Sequence, residues 1–387
     1  MPPKKRPQPE SAEDAKAWQQ LREACVAGDI EAVGRLCRVD WLKRKTADDG
    51  YTLLHTACDA GHAEVAELLL TRGAAIDELD RAGCSALAVS CSTPHTHITD
   101  LLLRRGAAKD GPAGDNVCPP LCVACEWCFG DAVRSLLACG ANPNKRDADG
   151  RTPLHVAAAL ARAEIAELLI RGGADVDGRN GAGATVLHTV CAAGNEELAR
   201  LLLSHGADKN ARDVLCRTPL YFACKAGRTE AARILLDADA DVHAQAADGT
   251  TALHAACSIL LGVETVELLL RHGAVADAVD GVGRTPLYVA CKHGYVGTAD
   301  ALLLEARSST RPVGDPPAAD VAGLDVACAD GNTPLHAACL SGNVPLVQSL
   351  LDRGADKDKL NYAGKSARHL ALTRCTPAVA DVMSRTI

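Results

Sequence analysis

The sequence predicts an all-α solenoid of about eleven stacked helix-turn-helix repeats with turn or β-hairpin fingers. Three observations predict it. A phrase close to Thr-Pro-Leu-His recurs along the 387 residues at a near-constant period. Each copy is followed by small residues, an apolar run and, in most repeats, a Gly-Ala pair. Hydrophobic residues make up 48% of the chain while Phe and Met occur only twice each. A core of aliphatic and small side chains suits stacked helix pairs better than a thick sandwich.

With the Leu of the phrase as anchor, copies fall at Leu21, Leu54, Leu87, Leu121, Leu154, Leu187, Leu220, Leu253, Leu287 and Leu335, with Arg368 as a degenerate last anchor. The period is 33 residues, apart from steps of 34 before Leu121 and Leu287 and a step of 48 before Leu335. Taken in order, residues 1–15 form a basic, Pro-rich tail expected to be disordered, and the array runs over 16–387. Residues 16–48 lack the phrase and read as an N-terminal capping repeat. In GRTPLHVAAALARAEIAELLIRGGAD, Thr152 is placed to cap a first helix and Pro153 sits where a first-turn proline is tolerated. Gly172 and Gly173 end the second helix, supplying the left-handed residue such ends favour. Asp147 to Gly150 makes the tight turn before the phrase. The Leu121 and Leu253 repeats are expected to carry extra residues before their second helices, around Trp127 to Gly130 and Ile259 to Gly262. The long step places an inserted loop over 305–320, rich in Pro, Gly and Ser. Residues 356–387 read as a C-terminal capping repeat. Ser366 to His369 replaces the phrase there, as Ser85 to Ala88 does in the third repeat, and Asp239-Ala240 replaces Gly-Ala.

On these residues the chain resembles the ankyrin repeat family over about residues 16–387. The phrase is intact at Thr152 to His155 and Thr333 to His336, with Tyr221 and Tyr288 in the last place of two further copies. Gly-Ala begins at Gly73, Gly106, Gly140, Gly173, Gly206, Gly273 and Gly354. The resemblance implies a protein-protein interaction scaffold or adaptor, not an enzyme, needing no cofactor and binding through turn tips and the exposed side of first helices. A substrate-recognition subunit of a ubiquitin ligase is the alternative, although no recruiting box is recognisable after Arg368. A zinc or redox sensor using the Cys118–Cys128 cluster is a second alternative.

The register accounts for most of the eighteen cysteines. Cys25, Cys58, Cys91, Cys125, Cys191, Cys224, Cys257, Cys291 and Cys339 lie four residues after their anchors, a small buried position where thiols behave as small hydrophobes. Equivalent helix positions lie roughly 8 to 10 Å apart, beyond the roughly 7 Å limit between Cα atoms for a disulfide. Within CPPLCVACEWC, Cys122 holds the place of the motif His and Cys118 precedes its anchor by three, as Cys84 does. Cys128 has no evident counterpart. The helical spacing of Cys122, Cys125 and Cys128 leaves a metal clip open. Histidines one residue after the anchor, such as His55, His155 and His254, read as hydrogen-bonding residues between turns.

The formal charge of -8 argues against a nucleic-acid partner. No apolar run has transmembrane length and the first residues lack a signal-peptide core, so a cytoplasmic protein, with the nucleus as the alternative, is expected. It is expected to be a monomer. Candidate partner-binding residues follow from the family's tip and first-helix places. Arg146, Arg179 and Arg212 repeat in register as a basic ladder. Arg151, Arg217 and Arg284 stand just before the phrase. Trp127, Leu160, Lys225, Ile259 and Lys292 fall on first-helix ends, and Val214 and Leu215 on a turn tip. Arginines beside apolar anchors suit a protein partner with an acidic segment.

Overall fold

The computed structural model describes residues 12–112, 117–308, 323–374 and 377–385. The chain divides into two compact units, Met1–Gly181 and Ala182–Ile387. Among the described residues both are helical, without strands.

In unit 1 the helices pair as α1 (Ala12–Ala27) with α2 (Ile30–Leu36), α3 (Leu53–Asp59) with α4 (Ala63–Thr71), and α5 (Ala86–Ser90) with α6 (Thr96–Arg104). Next come α7 (Pro120–Glu126) with α8 (Gly130–Ala138) and α9 (Pro153–Ala159) with α10 (Ala163–Arg171). A short 3-10 turn, Val39–Lys43, follows α2. Unit 2 continues with α11 (Val186–Ala193) and α12 (Glu196–Ser204), α13 (Pro219–Lys225) and α14 (Thr229–Asp237), and α15 (Ala252–Cys257) and α16 (Val263–Arg271). It ends with α17 (Pro286–His293) and α18 (Val296–Ser308), α19 (Pro334–Ser341) and α20 (Val344–Asp352), and α21 (Ala367–Arg374) and α22 (Pro377–Arg385). Within each unit every first helix packs on the first helix of the next repeat and every second helix on the next second helix.

Short helices of about two turns are marginal alone, so packing must supply their stability. The anchor leucines Leu21, Leu87, Leu154, Leu187 and Leu287 are fully buried. So is the ladder of cysteines four residues on. Burial pushes the Cys25, Cys91 and Cys191 thiols up to about 12, with Cys37 adding to the effect at Cys25. These are inert fillers. No disulfide joins any pair among the described residues.

Each first helix begins on a capped Thr where the phrase is intact. Thr251 Oγ1 accepts from the His254 backbone N–H, while the Thr251 N–H donates to His254 Nδ1 at 3.3 Å. The proton therefore sits on Nε2, which donates to the Arg284 carbonyl in the next repeat at 2.9 Å. His55, His188 and His336 reach the carbonyls of Cys84, Arg217 and Lys365 in the same way. The motif histidines tie neighbouring turns, as the sequence suggests.

Several expectations about segments change. Helix α1 starts at Ala12, inside the stretch assigned to a disordered tail, and residues 1–11 lie outside the described residues. Helix α18 runs to Ser308, so the expected loop 305–320 begins as helix, and 309–320 lie outside the described residues. The Leu121 repeat has no extra residues before its second helix. Helix α8 starts at Gly130, nine residues after the anchor, just as α10 starts nine after Leu154. The Leu253 repeat does carry one, since α16 starts at Val263, ten after its anchor. Cys128 does have a counterpart. Its φ of 63° places it in the left-handed position that Gly194 and Gly294 hold in other repeats.

Candidate protein-binding surface

Three of the tips before first helices are built from the pattern Asp-x-x-x-Arg. In unit 2 the Asp213 carboxylate accepts the N–H groups of Leu215 and Arg217 at 2.9 and 2.8 Å and the Arg217 guanidinium at 2.6 Å. Asp280 repeats this with Val282 and Arg284, at 3.0 and 2.8 Å, and a guanidinium at 2.7 Å. Both carboxylates are 1% exposed. Burial works to raise the Asp213 carboxyl, but its bonds from Arg217 and Leu215 outweigh that and hold it below the usual carboxylate range. Arg217 also lies over the Phe222 ring at 4.7 Å. In unit 1 Asp147 pairs with Arg151 at 2.9 Å.

Successive tips are stitched edge to edge. In unit 2 the N–H groups of Val214, Ala247, Gly281, Ala329 and Tyr362 donate to carbonyls of the preceding tip at 2.8 to 3.2 Å. Unit 1 uses the same bond from Arg81 to Asp49 and from Cys118 to Gly83. Isolated antiparallel bridges at Leu79 and Ser85, Gln245 and Thr251, and Leu360 and Ser366 are what remains of hairpin pairing.

The chain matches the family profile described as "Ankyrin repeats (3 copies)" over residues 21–113, 110–180, 165–246 and 220–311. It matches "Ankyrin repeat" over 330–362. The chain belongs to the ankyrin repeat family. A human relative, ankyrin repeat domain-containing protein 63, is 37% identical over 114 residues, which is 28% of this chain and 26% of that protein. The chain thus spans about a quarter of that relative's length. A crystal structure of the ankyrin repeat domain of Bcl-3, titled a unique member of the IkappaB protein family, aligns with a TM-score of 0.49 at 30% identity, covering 61% of this chain and 99% of that one. Ankyrin repeats are generally protein-protein interaction modules and generally non-enzymatic. Among the described residues no helix is long and apolar enough to cross a membrane.

The thirteen candidate residues divide between the units. Unit 1 holds Trp127, Arg146, Arg151, Leu160 and Arg179. Trp127 and Leu160 cap α7 and α9 and are exposed. Arg146 and Arg179 are exposed in unit 1 and Arg212 is exposed in unit 2, so the ladder falls in two pieces. The other seven lie in unit 2. Arg217 and Arg284 are half-buried and committed to their aspartates. Val214 and Leu215 stand exposed beside them. Lys225 and Lys292 are exposed on the ends of α13 and α17. Ile259 is half-buried, packed towards Gly227.

Sequence reasoning missed Leu260 and Leu261, 70% and 84% exposed, in the lengthened turn before α16. The extra residue of that turn pulls Ile259 inward and turns its two neighbours out. It also missed Val282 and Tyr362, exposed at later tips. No group of His, Cys, Asp and Glu fit to hold a metal ion occurs among the described residues, the Cys118–Cys128 stretch included. Cys122 and Cys125 are buried while Cys128 is exposed, so the three do not converge.

Proposed function

We propose that the chain is an intracellular scaffold or adaptor whose principal protein-binding surface lies on unit 2. One observation carries this reading: exposed apolar side chains at tips, Val214, Leu215 and Val282, stand beside arginines already fixed by buried aspartates. A tip held by backbone bonds on both sides loses little entropy on binding. Apolar anchors next to ordered guanidinium groups are what protein hot spots use. An acidic partner segment fits the basic groups of this face, and the thiols suit a reducing, cytoplasmic setting.

The test is affinity capture from a lysate with the full chain and with Val214→Ser/Leu215→Ser. Tip substitutions at exposed positions should leave helicity unchanged. A partner recovered with the wild-type chain and lost with the variant supports the reading. Equal recovery by both chains moves the surface away from these tips.

A further inference from the structure

We propose that Lys225, Lys292 and His293 form an anion subsite on unit 2 that takes a carboxylate side chain from the acidic segment of a partner protein. The proposal rests on the protein-binding reading above. A concavity of about 230 Å³ opens between the ends of α13, α15 and α17, behind the tips of two repeats. Its floor includes Tyr221, Ala255 and Val289. Its charged lining is Lys225, Lys292, Arg284, Asp248 and Asp280.

The charges do not cancel in space. Asp280 is enclosed by Arg284 and by two tip amides. Asp248 is satisfied by the Thr250 hydroxyl and N–H at 2.6 and 3.0 Å. Lys225 Nζ donates to Ser258 Oγ at 2.9 Å. Neither lysine has a carboxylate within ion-pairing distance among the described residues. Two ammonium groups beside one imidazole repel each other, and an entering anion relieves that repulsion. The imidazole already registers them: burial, then Lys292 and Lys225, hold His293 below the ordinary imidazole range. Two exposed lysines beside an apolar floor suit one carboxylate on an aliphatic stem. A long polyanion is disfavoured by the field of a chain carrying -8.

The sign of the pH effect follows from the same groups. His254 faces the site but spends Nε2 on the Arg284 carbonyl, and Tyr295 stacks on His293 at 5.5 Å. The two lysines that disfavour the His293 imidazolium are the groups an anion would neutralise, so an entering carboxylate favours the protonated ring and binding tightens as pH falls towards the imidazole range.

A display library of short random peptides, selected on the full chain, tests the proposal without knowing the partner. Peptides rich in Asp and Glu should be enriched. A recovered Glu peptide should weaken roughly tenfold on K225Q/K292Q, the scale of losing charge-assisted contacts, with a flatter salt dependence. Gln in place of Glu should weaken it similarly on the wild-type chain. Phosphoserine in place of Glu separates the sources of the anion: tighter binding by the phosphopeptide alone overturns the carboxylate assignment. Enriched peptides without acidic residues, or equal affinity for K225Q/K292Q, overturn the subsite but keep the protein-binding reading. No enrichment of any peptide counts against both.

A different observation carries a second site. We infer that Cys84 and Cys118, three residues before the anchors of adjacent repeats in unit 1, are a thiol pair that oxidised glutathione converts to a disulfide. Burial pushes the Cys84 thiol up, and the neighbouring Cys118 adds to the effect. The Cys118 N–H donates to the Gly83 carbonyl at 2.9 Å and its Sγ lies 3.3 Å from the Ala82 carbonyl. The two tips thus run side by side, with Cys118 bonded to the residue before Cys84. Both side chains are partly exposed. In the step, Cys118 attacks one sulfur of oxidised glutathione, forming a mixed disulfide and releasing one glutathione. Cys84 then loses its proton and attacks Cys118 Sγ, releasing the second. The protein loses two hydrogens and the glutathione disulfide gains them.

Peptide mapping by mass spectrometry after treatment of the full chain should find a Cys84–Cys118 crosslink. C84S should instead retain glutathione on Cys118, as exposed Cys128 and Cys139 do in every variant. Glutathione held on both cysteines of the wild-type chain, or Cys118 crosslinked elsewhere, overturns the inference.

Discussion

The register position three residues before the anchor is filled differently in the two units. Unit 1 places Cys84 and Cys118 at two consecutive tips, followed by Arg151 on Asp147, whereas unit 2 has no cysteine there and places Arg217 and Arg284 at two of its tips, each held by a buried aspartate. The exposed residues of the tips differ as well. Unit 1 presents Ala82, Ala148 and Asp149, and unit 2 presents Val214, Leu215 and Val282. One backbone design therefore supports tips with thiols and small or charged side chains in one unit and tips with exposed apolar side chains in the other. A repeat fold fixes where a side chain stands, and the residue type at that place decides what it can do.

The core should not share this asymmetry. Leu87→Ala in unit 1 and Leu220→Ala in unit 2 each remove a buried anchor, and each should cost about 2 to 5 kcal/mol. Denaturant unfolding followed by circular dichroism measures this. A loss confined to one variant would break the premise that both units are packed alike. Next in size is Asp280→Ala. It leaves the Val282 and Arg284 amides and a half-buried guanidinium without their acceptor, and should cost about 1 to 3 kcal/mol. Asp149→Ala, at an exposed tip position in unit 1, should change stability by less than about 0.5 kcal/mol. Comparable losses for the two would mean that the buried carboxylate holds its tip no more firmly than an exposed one.

Acid should also separate contributions with a definite sign. Burial holds His55, His254 and His336 below the ordinary imidazole range, against the pull of the carbonyls they reach. Each binds its proton more readily when unfolded. Their contribution is complete above about pH 6.5, the unfolded imidazole value, and is lost as pH falls towards their folded values. Asp213 has a depressed carboxyl, so its contribution persists to lower pH, being complete above about 3.9 and lost as pH falls through its folded value. Melting temperatures of His254→Gln and the wild-type chain should converge as pH is lowered from 7 to about 5. A gap that stays constant would sink this assignment.

Much of the fold was legible because a 33-residue period leaves few ways to bury an apolar stripe. The anchors, the Thr caps, the buried cysteines and the tying histidines all follow from register. Pairing across tips was not legible, since Asp280 and Arg284 look like ordinary surface charges until the turn folds the guanidinium back onto the carboxylate. Nor was the exposure of Leu260 and Leu261, because one inserted residue shifts which side chain faces inward. The cysteine cluster is read through register rather than through nearness. Nearness along CPPLCVACEWC alternates buried and exposed positions of one helix and its turn, while the thiol partner of Cys118 lies one full repeat away.

A further small effect concerns backbone strain and again uses both units. Ala161 in unit 1 and Asp239 in unit 2 take φ values of 56° and 58°. A left-handed conformation costs an L-residue roughly 1 to 2 kcal/mol, while glycine gives back about 0.5 to 1 kcal/mol through the entropy of the unfolded chain. Ala161→Gly should therefore stabilise by a few tenths to about 1 kcal/mol. Aspartate tolerates the left-handed region through local hydrogen bonds, so Asp239→Gly has less strain to relieve and should gain less. Paired melts of the two variants decide it. A larger gain for Asp239→Gly would mean that the strain at these helix ends depends on the unit that holds them and not on the residue type at the turn.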